Sequence, residues 1–342
     1  MNLKQVANKV IGHRGWRWLE GAAERDNQRM NTISIPNAPD IHICEVGPRD
    51  GLQSIARTMP TADKKRWMSA LHAAGLREIE VTSFVPAKLL PQLADAAEIV
   101  AHALTLPGLQ VVALVPNLKG AEAAMRAGVH KITLPCSASE AHSKANVRKT
   151  RAEMVQQVRD VVALRNALAP QVQIEAGISV AFGCTLQGIV PEDDVISLVS
   201  QVIDAGADET GLADTTGMAN PAQVRRLFRR AMAAVGKDKV GSAHMHNTRG
   251  LGIANCLAAY EEGIRAFDAS LAGIGGCPHA PGASGNVVTE DLVFMFEAMG
   301  LRTGIDMTAL VAARRPLEVG LPGEPLYGMT AEAGLPLGFV YA

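Results

Sequence analysis

The chain has 342 residues, a formal net charge of −1, 48% hydrophobic and 20% charged residues. This is the composition of a globular enzyme with a sizeable core; it offers no basic footprint for nucleic acid. Its apolar runs are broken by Gly, Pro or charge and none reaches the roughly 20 residues that span a bilayer, so neither a nucleic-acid nor a membrane partner is expected.

Residues 1–40 differ from the rest of the chain. Lys4, Lys9, Arg14 and Arg17 precede the first acid, Glu20. An acid-poor basic start fits an organellar transit segment or an N-terminal extension. Glu24 and Asp26 follow soon and the first Ser is Ser34, which favours the extension and a bacterial-type cytoplasmic protein over one of the mitochondrial matrix. The five cysteines, Cys44, Cys136, Cys184, Cys256 and Cys277, are odd in number, scattered and without a CxxC pair. That pattern points to a reducing compartment, not a disulfide framework or structural zinc.

From residue 41 short β-rich runs recur at 41–46, 78–84, 109–115, 130–135, 172–180, 207–213, 240–246 and 267–273. Helical spacing fills the intervals. In 61–75, Trp67, Leu71 and Ala74 fall at i, i+4 and i+7 with Lys65 and Arg66 off that face. Gly75, Gly128, Gly206, Gly236 and Gly263 stand where left-handed C-caps belong. Eight strands alternating with helices predict an α/β fold, a (β/α)8 TIM barrel over 41–303. The N-terminal extension (1–40) precedes it, and a helical then irregular C-terminal tail (304–342) follows. A doubly wound sheet is the alternative, though no GxGxxG follows the first strand.

In such a barrel, chemistry sits where strands end. Arg49 and Asp50 follow the first strand, Glu80 lies in the second, and Asp214 follows the sixth. His244 and His246 end the seventh, and Cys277 and Asn286 lie in a Gly-rich loop after the eighth. Residues i and i+2 of a strand share a face, so both imidazoles can converge on one point, although paired histidines also serve as packing or surface residues. Asp50 would project into the same mouth. Two imidazoles, a carboxylate and an amide oxygen suit Mg²⁺ or Mn²⁺, with Zn²⁺ as the alternative. Arg49 could aim at a carbonyl or carboxylate oxygen or form a surface pair with Asp50. Glu80 could be catalytic or an ion-pair partner of Arg49, and Asp214 could cap a turn. Cys277 is the thiol expected to meet substrate and to work as acid or base. His142 and His279 are read as loop histidines to which no role is assigned.

EVGPRDGLQ, IEVTSFV, HMHNTRGLGIANCLAAYEEG and AGIGGCPHAPGASGNVVTEDLVFM together resemble the 3-hydroxy-3-methylglutaryl-CoA lyase family over about 41–303. The resemblance implies cleavage of a 3-hydroxy-3-methylglutaryl thioester to acetyl-CoA and acetoacetate, with acyl-CoA as the small-molecule partner and a homo-oligomeric state. It also implies Asp50, His244, His246 and Asn286 as metal ligands, with His244 counted among the catalytic groups too. Arg49 would bind the thioester carbonyl and stabilise the enolate, Cys277 would be the mobile acid/base, and Glu80 and Asp214 would be acids near the substrate hydroxyl. The chain departs from the family's usual HxHDTxGQ at Asn247 and Arg249, which suggests another branched 3-hydroxyacyl-CoA. A Claisen-type synthase and a degenerate binding barrel are the competing expectations.

Overall fold

The first strand pairs with the last. β1 (His42–Glu45) bonds in parallel to β2 (Glu78–Ser83) on one side and to β8 (Ala266–Ala269) on the other. Between them β3 (Gln110–Leu114), β4 (Lys131–Ser137), β5 (Gln173–Ser179), β6 (Glu209–Asp214) and β7 (Val240–Met245) complete the ring in chain order. This computed structural model describes residues 38–275 and 285–342. The fold is a TIM barrel, and the β1–β8 ladder excludes the open doubly wound sheet.

Helices α1 (Thr61–Ala73), α2 (Ala96–Ala103), α3 (Leu118–Ala127), α4 (Glu140–Val147), α5 (Arg151–Leu168), α6 (Glu192–Asp204), α7 (Pro221–Val235), α8 (Gly252–Glu261) and α9 (Thr289–Ala298) return the chain between strands or follow the last. Period-2 alternation along each strand separates two environments. On β7, Ala243 and Met245 are fully buried against the helices, while Ser242, His244 and His246, the last just past the strand, face the barrel interior. On α1, Trp67 and Leu71, with Ala74 just beyond, are buried as the spacing predicts. Among the described residues no helix is long and apolar enough to cross a membrane.

One expectation shifts. The eighth strand ends at Ala269, not at Gly273. Leu271 donates its N–H to Glu45 Oε1 at 2.8 Å and Ala272 adopts φ 58°, so the chain turns out of the sheet. The tail begins helical, with α10 (Met307–Ala312) and α11 (Arg314–Gly320), and carries one further short helix, α12 (Met329–Ala333), in its later part; Leu310 and Leu317 are buried.

Gly75 holds φ 109°, and a Cβ there would stand 2.3 Å from the backbone oxygen of Gly304. Gly75→Ala should therefore destabilise the protein by about 2 kcal/mol or more, combining a strained backbone with a backbone clash. Urea unfolding of the two proteins checks this through the shift in midpoint at constant m-value.

Candidate metal centre and active site

The turn after β1 makes the first half of the site. Gly47–Gly51 forms a single wide π-helical turn, with the N–H groups of Arg49, Asp50 and Gly51 all directed at Val46 O. Arg49 and Asp50 are each only 9% exposed, so they are not a surface pair. Arg49 Nε donates to Glu80 Oε2 at 2.5 Å and Nη1 to Asp50 Oδ1 at 2.5 Å. Gln53 adds a donor to Asp50 Oδ1 at 2.6 Å. One guanidinium thus serves two buried carboxylates. Burial pushes Asp50 up, but Arg49, the two imidazoles and the Asn286 amide outweigh it and hold the carboxyl at about 2. Glu80 stays raised, because burial exceeds what Arg49 and the Thr133 hydroxyl return.

β7 makes the second half. His244 Nε2 and His246 Nε2 face each other at 3.0 Å, 4.0 and 3.8 Å from Asp50 Oδ2. Asp268, the cross-strand neighbour of His244 on β8, lies with Oδ2 3.0 Å from His244 Nδ1. When that nitrogen carries the proton and donates it, the lone pair of Nε2 is aimed at the centre. The two rings respond oppositely. Burial lowers His244, but Asp268 and Asp50 raise it above the usual imidazole range. Burial and the neighbouring His244 depress His246 to about 4, which keeps it neutral and able to ligate.

Asn286 reaches the same point from the return segment after β8, bridged to His246. Its Nδ2 donates to Asp50 Oδ2 at 2.8 Å, while its buried Oδ1 finds no hydrogen-bond partner among the described residues. A half-turn of that amide would present the oxygen to the centre. Asp50, His244 and His246 each offer a ligand atom, all within 4.8 Å of one another. An octahedral ion with bonds near 2.1 Å needs donor separations of about 3 Å between neighbours and about 4.2 Å across. The donor set and its orphaned amide oxygen therefore fit a divalent cation, with imidazoles tolerating Mn²⁺ or Zn²⁺ and the oxygens suiting Mg²⁺.

The centre borders a cavity of about 780 Å³ that runs down the barrel axis. Its floor is another shared cation: Lys131 Nζ lies 2.6 Å from Glu175 Oε2, 2.6 Å from Glu209 Oε1 and 3.3 Å from Glu78 Oε1.

The HMGL-like family model matches residues 40–316. The chain belongs to the HMG-CoA lyase-like family. It is 40% identical over 273 residues to the 3-hydroxy-3-isohexenylglutaryl-CoA/hydroxymethylglutaryl-CoA lyase of Pseudomonas aeruginosa, covering 80% of this chain and 90% of that protein. It is 39% identical over 305 residues to the (R)-citramalyl-CoA lyase of Chloroflexus aurantiacus, covering 86% and 95%. A structure of an HMG-CoA lyase from Acinetobacter baumannii, in complex with coenzyme A and 3-methylmalate, superposes with a TM-score of 0.81 at 40% identity, covering 88% of this chain and 97% of that one. These relatives are carbon–carbon lyases, and so is this protein.

Within this lyase Arg49, Asp50, Glu80, His244, His246 and Asn286 come together. Asp214 does not stand in the cavity wall. Its carboxylate accepts from the N–H groups of Met218 (2.8 Å) and Ala219 (3.1 Å), which caps the loop after β6, and burial raises it to about 6. This is the turn-capping arrangement that the sequence also allowed. Cys277 and His279 lie outside the described residues. His142 is no loop histidine: it sits in α4, buried, with Nδ1 2.7 Å from Ser137 Oγ, and lines the cavity. Asn247 accepts the Gly252 N–H at the start of α8, and Arg249 donates to the carbonyls of Thr216 and Gly217; both brace loops. Asp268 was missed, although the alternation Phe267–Asp268–Ala269 already puts it alone on the inner face.

Glu45 was missed as well. Fully buried behind the mouth, it accepts from Gly47 N (2.9 Å), Leu271 N (2.8 Å) and Thr289 Oγ1 (2.7 Å). Burial raises it from 4.5 to about 8. Between those values the folded protein keeps a proton that the unfolded chain has lost, so stability should fall as pH rises from 4.5 to 8. Glu45→Gln keeps the acceptor without the charge and should flatten that fall; urea midpoints at several pH values check it. His246→Ala should lower Mn²⁺ affinity at least tenfold with an unchanged circular-dichroism spectrum, as measured by titration calorimetry.

Proposed function

We propose that this lyase cleaves a 3-hydroxy-3-methylglutaryl-CoA-like thioester to acetyl-CoA and acetoacetate in a metal-dependent retro-Claisen reaction. The observation that carries the reading is the convergence of Asp50, His244 and His246 beside a buried guanidinium at the strand ends. Cleavage must remove the proton of a tertiary alcohol and hold a thioester enolate. Bound at Asp50, His244, His246 and Asn286, an Mg²⁺ or Mn²⁺ ion would supply Lewis acidity that acidifies the substrate hydroxyl.

The chain's own residues do the rest. Arg49 is fixed by Glu80 and Asp50 through Nε and Nη1, which leaves Nη2 to donate to the thioester oxygen as negative charge develops there. Glu80, with a carboxyl raised by burial, is the assigned acceptor of the hydroxyl proton, since a base nearer neutrality transfers protons more effectively. His244 is kept in one tautomer by Asp268. Cys277, on the sequence argument alone, is the assigned donor that protonates the enolate carbon. Asp214 contributes by holding the β6 loop. A second reading, a different substituent at C3, is favoured by the names of the Pseudomonas and Chloroflexus relatives, which match about equally well.

A cleavage assay on a panel of 3-hydroxyacyl-CoA esters, with and without chelator, tests this. Chelator should abolish turnover and added Mn²⁺ or Mg²⁺ restore it; strong preference for the methyl ester selects the first reading, and preference for another ester the second. Arg49→Met should lower kcat by about 10²–10³, because its donors act mainly in the transition state; a change confined to KM would show that it only binds. Cys277→Ser should cut kcat and leave bound metal, read by elemental analysis, unchanged.

A further inference from the structure

Across the barrel from the metal ligands, the cavity wall changes chemistry. In a ring of eight, β4 and β5 stand opposite β8 and β1. There the lining comes from the end of β4, from α4 and from the turn beyond it. On α4 and that turn His142, Asn146, Arg148 and Lys149 supply the side-chain polar atoms and no carboxylate lines the cavity; on β5 Glu175 lines it, paired with Lys131 at the floor. The metal side, by contrast, carries Asp50, Glu80 and Asp268.

Arg148 is the unusual member. It ends α4 with φ 58° and ψ 30°, a left-handed conformation that suits glycine and strains any side chain-bearing residue. The backbone there sets the direction in which the Cα–Cβ bond of the exposed arginine leaves the turn. Among the described residues it has no counter-ion, because the acids near it in sequence are engaged elsewhere. Glu140 lies 3.3 Å from Lys144 and accepts the Arg151 N–H at 3.0 Å. Glu153 closes the capping box with Thr150, and Asp160 accepts from Gln156 at 2.9 Å. Lys149 donates to Gln157 and lines both this cavity and an adjoining one of about 710 Å³. An unpaired guanidinium therefore marks the wall that faces the metal side of the site, and Lys149 beside it stands at the junction of two hollows.

We propose that Arg148, flanked by Lys149, is an oxyanion subsite for the acyl-CoA ligand. The proposal rests on the acyl-CoA reading above. The anion is the free carboxylate of the acyl group or a phosphate of the CoA moiety; both match a guanidinium fork. The strain at Arg148 is retained because it places the charge. Replacing it by glycine should therefore raise the melting temperature while weakening the ligand, a split that a purely structural arginine would not produce.

The test uses the full-length enzyme and Arg148→Gln, Arg148→Gly and Arg148→Lys. With the ester the wild type cleaves, KM should rise at least tenfold in the Gln and Gly variants, kcat should stay within twofold, and Lys should recover part of the loss. The same series on the acyl-pantetheine ester, which lacks phosphates, separates the sources: a persisting KM defect identifies the carboxylate, a vanished one the phosphate. Calorimetric affinity for CoA and for uncleaved acyl-CoA in chelator stands apart from catalysis. If the wild type cleaves nothing yet Arg148→Gln weakens either ligand tenfold, the lyase reading fails and the subsite stands. Unchanged affinity for both ligands overturns the subsite whatever the activity.

Discussion

A single guanidinium holds the mouth of this barrel together. Asp50 and Glu80 are both buried, and a carboxylate out of water needs a counter-ion or a proton. Arg49 contacts both at 2.5 Å and is itself raised by them against its own burial penalty. The arrangement keeps Asp50 ionised for a metal while leaving Glu80 closer to neutrality. The same economy recurs at the floor, where Lys131 answers three glutamates. The interior is thus two layers of shared cations, both lining the cavity, with Arg49 beside the candidate metal ligands. Any group arriving at Arg49 competes with carboxylates for its donors, so the charge balance of the mouth is set before substrate enters.

Much of this was legible along the chain. Strand positions follow from runs of alternating β-branched residues bounded by glycine, and seven of the eight runs were located to within three residues at either end. The inward pairing of His244 with His246 follows from strand parity alone. What the sequence could not show depends on which strands become neighbours. The role of Asp268 exists only because β7 and β8 lie in a register that puts it beside His244. Glu45 reads as one more strand residue until Leu271 and Thr289, more than 220 positions away, close on it. Asp214 was open to chemistry and to capping, and the capping bonds from the amides of Met218 and Ala219 appear only once the β6 loop is folded. His142 and Arg148 carry no motif, and their place on the cavity wall comes from the curvature of the barrel. In the C-terminal tail Pro316 is compatible with a helix because at the third residue of α11 it removes no needed donor.

The relatives fix the family without fixing the acyl chain, and the structure explains why. The candidate metal ligands and Arg49 lie in the turn after β1, at the end of β7 and in the segment after β8, with Glu80 on β2, whereas α4 and the turn beyond it line the opposite wall. With the proposed reaction and the proposed subsite, chemistry and selectivity would occupy different arcs of the ring, so one could drift while the other stays in place. Arg249 and Asn247, which looked like changes in the reacting arc, are spent on bracing loops instead.

The donors Asp50 and Asn286 come from opposite ends of the ring and meet only where β1 joins β8. A partly synthesised or half-opened chain would carry the two histidines without their oxygen partners. Such a form would hold a hard dication poorly. An ion bound there would act as a clasp, its occupancy favouring the sealed ring over any unzipped form increasingly as its free concentration rises. The seam that such an ion would brace is the one between the first and last strands.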